Sequence, residues 1–313
     1  MTIAFTFPGQ GSQTVGMGRA LHDAYPVSRA VFAEVDAALG ESLSSLIFEG
    51  PEETLQLTAN AQPALMAVSL AAMRALESEG VKMADAALVA GHSLGEYSAL
   101  AAAGALSLGD AAKLLRLRGT AMQAAVPAGE GAMAALLGLD LEAAVEVAAL
   151  AADGDVCEVA NDNAPGQVVI SGSRAAVERA IELARGRGAK RAILLPVSAP
   201  FHCSLMGPAA EKMAEALASA DLKAPQVPLL ANISVTQLTD PAAIRESLVA
   251  QVTGRVRWRE SVVAMAEAGV TELVEIGAGK VLSGLVRRID KSLGATAINT
   301  PEDVASFAAE RAA

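Results

Sequence analysis

Cysteine is scarce: Cys157 and Cys203 are the only two in 313 residues. Two thiols build no disulfide framework, so a packed core must carry the fold, and a reducing cytoplasm is the natural compartment. Basic residues are in deficit as well, with 24 Lys and Arg against 35 Asp and Glu, a net charge of −11. Such a chain repels phosphate backbones. With only 3% aromatic residues it also has little ring area on which bases could stack. Nucleic acid is a poor candidate partner, and the negative charge chiefly confers solubility. No apolar run approaches membrane-spanning length, because charges interrupt the alanine-rich stretches. No membrane partner is expected. The first basic residue is Arg19, so the start lacks the basic region of a secretory signal. Hydrophobic residues, in contrast, make up 52% of the chain, enough for one large core or a core with a smaller satellite.

The patterning is that of an α/β protein. "TIAFTFPGQGSQ" reads as a buried strand ending in a Pro-Gly turn. Helical spacing follows from about Arg19 to Leu39 and from about Pro63 to Glu79. "DAALVAGHS" is a short apolar strand, "GEYSALAAAGAL" a small-residue helix, and "SLGDAAKLLRLRGTAMQAAV" a helix that Ser107 or Asp110 can cap. Residues 129–198 then read strand, helix, strand, strand, helix, strand, the ferredoxin-like order. This predicts a compact insert between the two halves, 1–128 and 199–313, of a larger unit. "VTELVEIGAGKVLSGLVRRI" returns to strand, turn and helix, and "EDVASFAAERAA" predicts a surface helix. Strands alternating with helices imply a parallel sheet covered on both faces.

Gly91-His92-Ser93-Leu94-Gly95 is a G-x-S-x-G between a predicted strand and a predicted helix. In that context the motif holds a serine on a strained turn as an exposed nucleophile. The Leu94 N–H would then face an oxyanion at the positive end of the helix. A serine nucleophile needs a base. His22 sits in a helical stretch far from any glycine turn, and His92 adjoins the serine on a turn, where neighbouring side chains diverge. His202 remains, on a loop marked by Pro196 and Pro200. No third acid stands out among Asp110, Asp140, Asp153, Asp155 and Asp162, and a backbone carbonyl could orient the histidine instead. Gly9 and Gly11 bare the backbone around Gln10, where a second oxyanion N–H could arise. The dinucleotide fingerprint fails there at Thr14, and "GAGKVL" lacks the earlier glycine of a P-loop near Val274. Arg118 shares one helix face with Ala111, Leu115 and Met122. An arginine in an apolar stripe needs acceptors: a structural ion pair, water at the stripe's edge, or a substrate carboxylate in a two-pronged grip.

The blocks "FPGQGSQTVGMG", "AQPALMA", "AGHSLGEYSALAAAGALS", "RLRGTAMQ", "NAPGQVVISG", "PVSAPFHCSLM" and "EIGAGKVLSGLVRRI" together resemble the malonyl-CoA:acyl carrier protein transacylases of fatty acid synthesis. The likeness runs in order over almost the whole chain. It implies a hydrolase-like α/β core with an inserted ferredoxin-like subdomain. It implies Ser93 as nucleophile, His202 as base, the Gln251 main-chain carbonyl as the histidine's acceptor, and the Gln10 and Leu94 N–H groups as the oxyanion hole. Arg118 matches the family's carboxylate-binding arginine, and Met122 and Asn163 match positions near the pocket. Phe201, before the histidine, resembles the bulky residue of malonyl-selective members and would crowd an α-methyl branch, although other members have serine there. The resemblance also implies a cytoplasmic monomer. Its partners would be malonyl-CoA and acyl carrier protein, and it would need no metal or bound cofactor, the CoA thioester being a substrate. Malonyl loading in a polyketide pathway is the alternative. A serine hydrolase or thioesterase fits the elbow equally well, but Arg118 and the missing third acid argue against it; Ser93, His202 and Arg118 together argue against a silent carrier-docking scaffold.

Overall fold

The computed structural model describes residues 1–312. Its centre is β1 (Ile3–Phe7), buried along its whole length. On one face of the strand Phe5 and Phe7 join a core with the Pro26–Leu39, Thr58–Ser78 and Leu108–Ala124 helices. On the other Ala4 meets Trp258, Val262 and Leu285 from two later helices. Strand period 2 thus feeds two separate cores, as a sheet covered on both sides requires.

The remaining strands are β2 (Ala86–Gly91), β3 (Gly131–Leu137), β4 (Cys157–Ala164), β5 (Gln167–Ser173), β6 (Arg191–Leu194), β7 (Leu229–Leu230), β8 (Gln237–Leu238), β9 (Glu272–Ile276) and β10 (Gly294–Ile298). The large sheet has the order β10-β9-β1-β2-β7-β8. All its neighbours are parallel except the short edge strand β8, which runs antiparallel to β7. Phe7 and Gly91 are paired in register, so the turns after β1 and β2 emerge side by side. The carboxyl ends of adjacent central strands are where an open α/β sheet places its ligand.

The second sheet has the order β4-β5-β3-β6 and is antiparallel throughout. One face is covered by the Leu141–Ala152 and Arg174–Gly186 helices, where Leu136, Val147, Ile170 and Val177 form a core of their own. The alternate residues Met133, Ala135 and Val169 point the other way, into the cleft between the two sheets. The β4 edge is not free: Asp162 N–H donates to Val256 O at 2.9 Å and Val256 N–H to Ala160 O at 2.8 Å.

The helix expected from Arg19 to Leu39 is two helices, Arg19–Ala24 and Pro26–Leu39. Pro26 cannot donate to a preceding turn but suits a first helical position. Conversely, Pro63 does not begin its helix but lies inside Thr58–Ser78. Its missing N–H would strand the Ala59 carbonyl; Arg116 Nη1 donates to that oxygen instead, at 2.7 Å. The carboxyl-terminal helix Pro301–Ala312 is amphipathic rather than wholly superficial, since Val304 and Phe307 are buried. The long stretch after His202 holds the Gly207–Ser219, Pro241–Gln251 and Trp258–Glu267 helices.

Candidate active site

Ser93 sits where β2 turns into the Gly95–Ala102 helix, with φ of 54°. A non-glycine residue in the left-handed region is strained, and strain there must be held by its surroundings. The two glycines make the turn possible. A Cβ on Gly91 would lie 1.9 Å from the Gly95 carbonyl carbon, and one on Gly95 would lie 2.3 Å from Phe7 O. Asn232, fully buried, locks the turn from the far side. It accepts from Ser93 N–H at 2.8 Å and donates to Gly91 O at 2.7 Å.

His202 also has positive φ, 59°, on the loop after β6. The Ser93 hydroxyl lies 2.7 Å from its Nε2. Its Nδ1 lies 3.0 Å from Gln251 O and 3.1 Å from Gly254 O. Carbonyls only accept, so Nδ1 carries the proton and Nε2 presents a lone pair to the serine. Burial, and then the nearby positive charge of Arg118, push the His202 pKa down to about 3. The imidazole is neutral at physiological pH and able to take a proton. Among the described residues no acid completes the pair. Asp110 accepts from Ser107, the cap of its helix, Asp140 caps another, Asp155 pairs with Arg179, Asp162 pairs with Arg259, and Asp153 ends a helix.

Arg118 is buried, at 1% exposure. Its Nη1 donates to Gln62 Oε1 at 2.8 Å, and its Nη2 donates to Gln251 Oε1 at 2.8 Å and to Ser93 Oγ at 3.1 Å. Its Nε has no partner, and it belongs to none of the ion pairs among the described residues. Burial lowers its pKa, while Tyr97 and Glu96 oppose that shift. A buried guanidinium held by neutral amide oxygens, one arm on the Ser93 hydroxyl, keeps its positive charge without a protein anion beside it.

These groups line a cleft of about 860 Å³ between the two sheets. Gln10, Leu94, Met122, Asn163 and Phe201 line it too, whereas His22 is paired with Asp23 away from it. No hydrogen bond among the described residues engages the Leu94 or Gln10 N–H. The Gln10 side chain is tied back by Thr58 Oγ1, which donates to its Oε1 at 2.9 Å. His92 turns away from the serine to Asn163, Nε2 to Oδ1 at 2.8 Å, with its ring tilted against Trp258. Burial lowers its pKa. Among the described residues no group of three or more His, Cys, Asp or Glu side chains comes together as a metal site.

Four site groups escaped the sequence reading: Gln62, Glu96, Asn232 and the Gly254 carbonyl. Glu96 carried a usable signal, as the one charged residue in the small-residue stretch GEYSALAAAGAL, whereas Gln62, in the polar stretch TANAQ, carried little. Asn232 and Gly254 carried none; only the folded chain brings them to the elbow and the histidine.

The chain matches the acyl transferase domain family over residues 4–305. It is 50% identical over 303 residues to the malonyl CoA-acyl carrier protein transacylase of Bacillus subtilis, covering 96% of this chain and 95% of that one. The acyl-carrier-protein S-malonyltransferase of Bartonella henselae superposes with a TM-score of 0.98 at 55% identity, covering all of both chains. A malonyl-transacylase solved in complex with a type II PKS acyl-carrier protein superposes with a TM-score of 0.96 at 44% identity, covering 99% of this chain and 100% of that one.

Proposed function

The chain belongs to the acyl transferase domain family, and from that premise we propose how its residues move a malonyl group from malonyl-CoA to acyl carrier protein in fatty acid synthesis. Ser93 Oγ gives its proton to His202 Nε2 and attacks the thioester carbonyl carbon. The oxygen of the tetrahedral intermediate rests on the Leu94 and Gln10 N–H groups, aided by the positive end of the Gly95–Ala102 helix. Breaking the carbon–sulfur bond releases CoA, whose sulfur takes the proton back from His202, and leaves a malonyl-serine ester. The phosphopantetheine thiol of the carrier then gives its proton to His202 and attacks that ester, and the sequence runs in reverse. An imidazolium is costly in this buried setting. It forms only beside the oxyanion, so the two charges arise as a pair.

The observation that carries this reading is Arg118. Its charge reaches the serine hydroxyl without a protein carboxylate to consume it. A malonyl carboxylate, two bonds beyond the reacting carbonyl carbon, would complete the guanidinium's set of acceptors. Phe201 and Met122 would shape the acyl pocket and Asn163 the approach of the thioester. Residues 1–128 and 199–313 would form the unit that carries the elbow and the histidine, with 129–198 supplying the opposite wall. We further read the protein as a cytoplasmic monomer without a resident cofactor, because the thioester arrives already activated. Nucleic acid and membrane have no part in this route, and no helix among the described residues is long and apolar enough to cross a membrane.

Intact mass tests the cycle. Protein mixed with malonyl-CoA gains one malonyl group and loses it when carrier protein is added. Turnover without carrier would make the chain a hydrolase, and no mass gain would make it a scaffold. The likeness to a transacylase bound to a PKS carrier supports a second reading, malonyl loading in a polyketide pathway. Comparing discharge to fatty acid and polyketide carriers separates the two.

A further inference from the structure

Glu96 is a carboxylate with no exposed surface, on a helix otherwise made of small and apolar residues plus one tyrosine. Both of its oxygens are occupied. Oε1 accepts from Asn232 N–H at 2.5 Å, and Oε2 accepts from Gln251 Nε2 at 2.5 Å. The second proton of Gln251 Nε2 goes to Ser93 O at 2.9 Å. Both amide protons are therefore directed at acceptors, and the amide has one orientation left. Its Oε1 faces Arg118 Nη2 at 2.8 Å. A flip would set that oxygen against a carboxylate and a carbonyl, and the amide protons against a guanidinium.

We propose that Glu96 is a positioning residue for malonyl transfer: its carboxylate fixes the Gln251 side-chain amide, and that amide holds Arg118 Nη2 beside Ser93 with its positive charge unspent. The arrangement differs from an ordinary ion pair. A carboxylate placed directly on Arg118 would orient it equally well but would neutralise it. Interposing a neutral amide passes on the orientation and keeps the negative charge one side chain away. Gln62 supplies the other neutral acceptor, so neither prong of the guanidinium is spent on a protein anion. Burial pushes the Glu96 carboxyl up, to about 8, against the pull of its two donors and of Arg118, so the group is poised to take a proton near neutral pH; both of its oxygens nonetheless face N–H donors, the geometry of the ionised form. Such a group is costly to keep, consistent with a role beyond capping one backbone N–H.

The proposal rests on the reading of Arg118 as the partner of the acyl carboxylate, and the test separates the two. The quantity measured is the ratio of kcat/KM for malonyl-CoA to that for acetyl-CoA, with a melting curve on each sample. In Glu96→Gln the Asn232 N–H, being backbone, claims the new side chain's oxygen. Its NH2 then confronts Gln251 Nε2, so Gln251 must turn its oxygen away from Arg118. The ratio should fall at least about tenfold, the equivalent of one charge-assisted hydrogen bond. In the double variant Glu96→Gln with Gln251→Glu, donors and acceptors between the two side chains match again. The melting temperature should recover relative to the single variant. The ratio should stay low, because Arg118 now carries a direct carboxylate. The double variant also supplies the measurement if the single variant does not fold. A folded Glu96→Gln with the native ratio, or a double variant whose ratio returns together with its melting temperature, overturns the positioning role. If Arg118→Ala itself leaves the ratio unchanged, the carboxylate reading fails and this proposal falls with it. If Arg118→Ala collapses the ratio while Glu96→Gln does not, only the role of Glu96 fails.

Discussion

Arg118→Ala removes a guanidinium that makes three hydrogen bonds, one of them to Ser93 Oγ. A hydrogen bond to a charged partner contributes roughly 1.5–3 kcal/mol, and a two-pronged grip on a carboxylate more. Loss of the grip should lower kcat/KM for malonyl-CoA by at least about tenfold. Acetyl-CoA has no carboxylate and does not lose that interaction. In the native site it leaves the buried cation without an anionic partner, so its rate constant should hold or rise. The malonyl-to-acetyl ratio therefore collapses or inverts. Two opposing effects act on stability. The variant strands the Gln62 and Gln251 side-chain oxygens, each worth about 1–3 kcal/mol if buried without a donor. It also relieves the burial of a charge, which works the other way. Steady-state kinetics with both thioesters, and a thermal melt of the same preparation, measure these effects. A folded variant with an unchanged ratio refutes the carboxylate grip. Equal losses on both substrates would assign Arg118 to holding Ser93 alone.

The other expectations concern the serine, its turn and its base. Ser93→Ala should give no acyl-enzyme by intact mass after malonyl-CoA, with a native circular dichroism spectrum; a retained malonyl adduct would place the nucleophile elsewhere. Gly95→Ala should abolish acylation by displacing the elbow, since its Cβ would lie 2.3 Å from Phe7 O; near-native acylation in a folded variant would show that the turn has slack. With the His202 pKa lowered to about 3, the imidazole stays neutral well below the usual histidine range. His202 should then add no limb near 6.5 to the acylation rate between about pH 8 and about pH 5. Because Arg118 is the second cause of that shift, Arg118→Ala should move the acid limb upward; a wild-type limb at the ordinary histidine value contradicts the buried-base assignment. The same shift bears on stability. Between about pH 6.5 and about pH 3 the unfolded chain binds the proton that folded His202 refuses, so stability from this group falls as pH falls through that window. Thermal melts across the window, compared with His202→Gln, measure it.

Local signals determined a good deal of this protein. G-x-S-x-G between an apolar strand and a small-residue helix needs only short-range sterics: glycines where a Cβ would collide, and a serine between them. The apolar run of β1, ended by its Pro-Gly turn, and the strand and helix order of residues 129–198 are local in the same sense. Arg118 announced itself by interrupting an apolar stripe, although its stripe could not say whether its acceptor was an acid, water or a ligand. That was decided by tertiary structure, which sets Gln62 and Gln251 against it from two other helices and no carboxylate. Tertiary structure alone also decided how the histidine is oriented. Gln251 and Gly254 are separated from His202 by some fifty residues, and main-chain carbonyls leave no trace in side-chain identity. The break at Pro26 and the continuous helix through Pro63 show the same division. Proline forbids one hydrogen bond locally, but whether a helix survives depends on a distant donor, here Arg116, reaching the carbonyl left behind. Short-range sterics are written residue by residue. Which acceptor meets which donor across the cleft depends on long-range packing, which composition and periodicity do not encode.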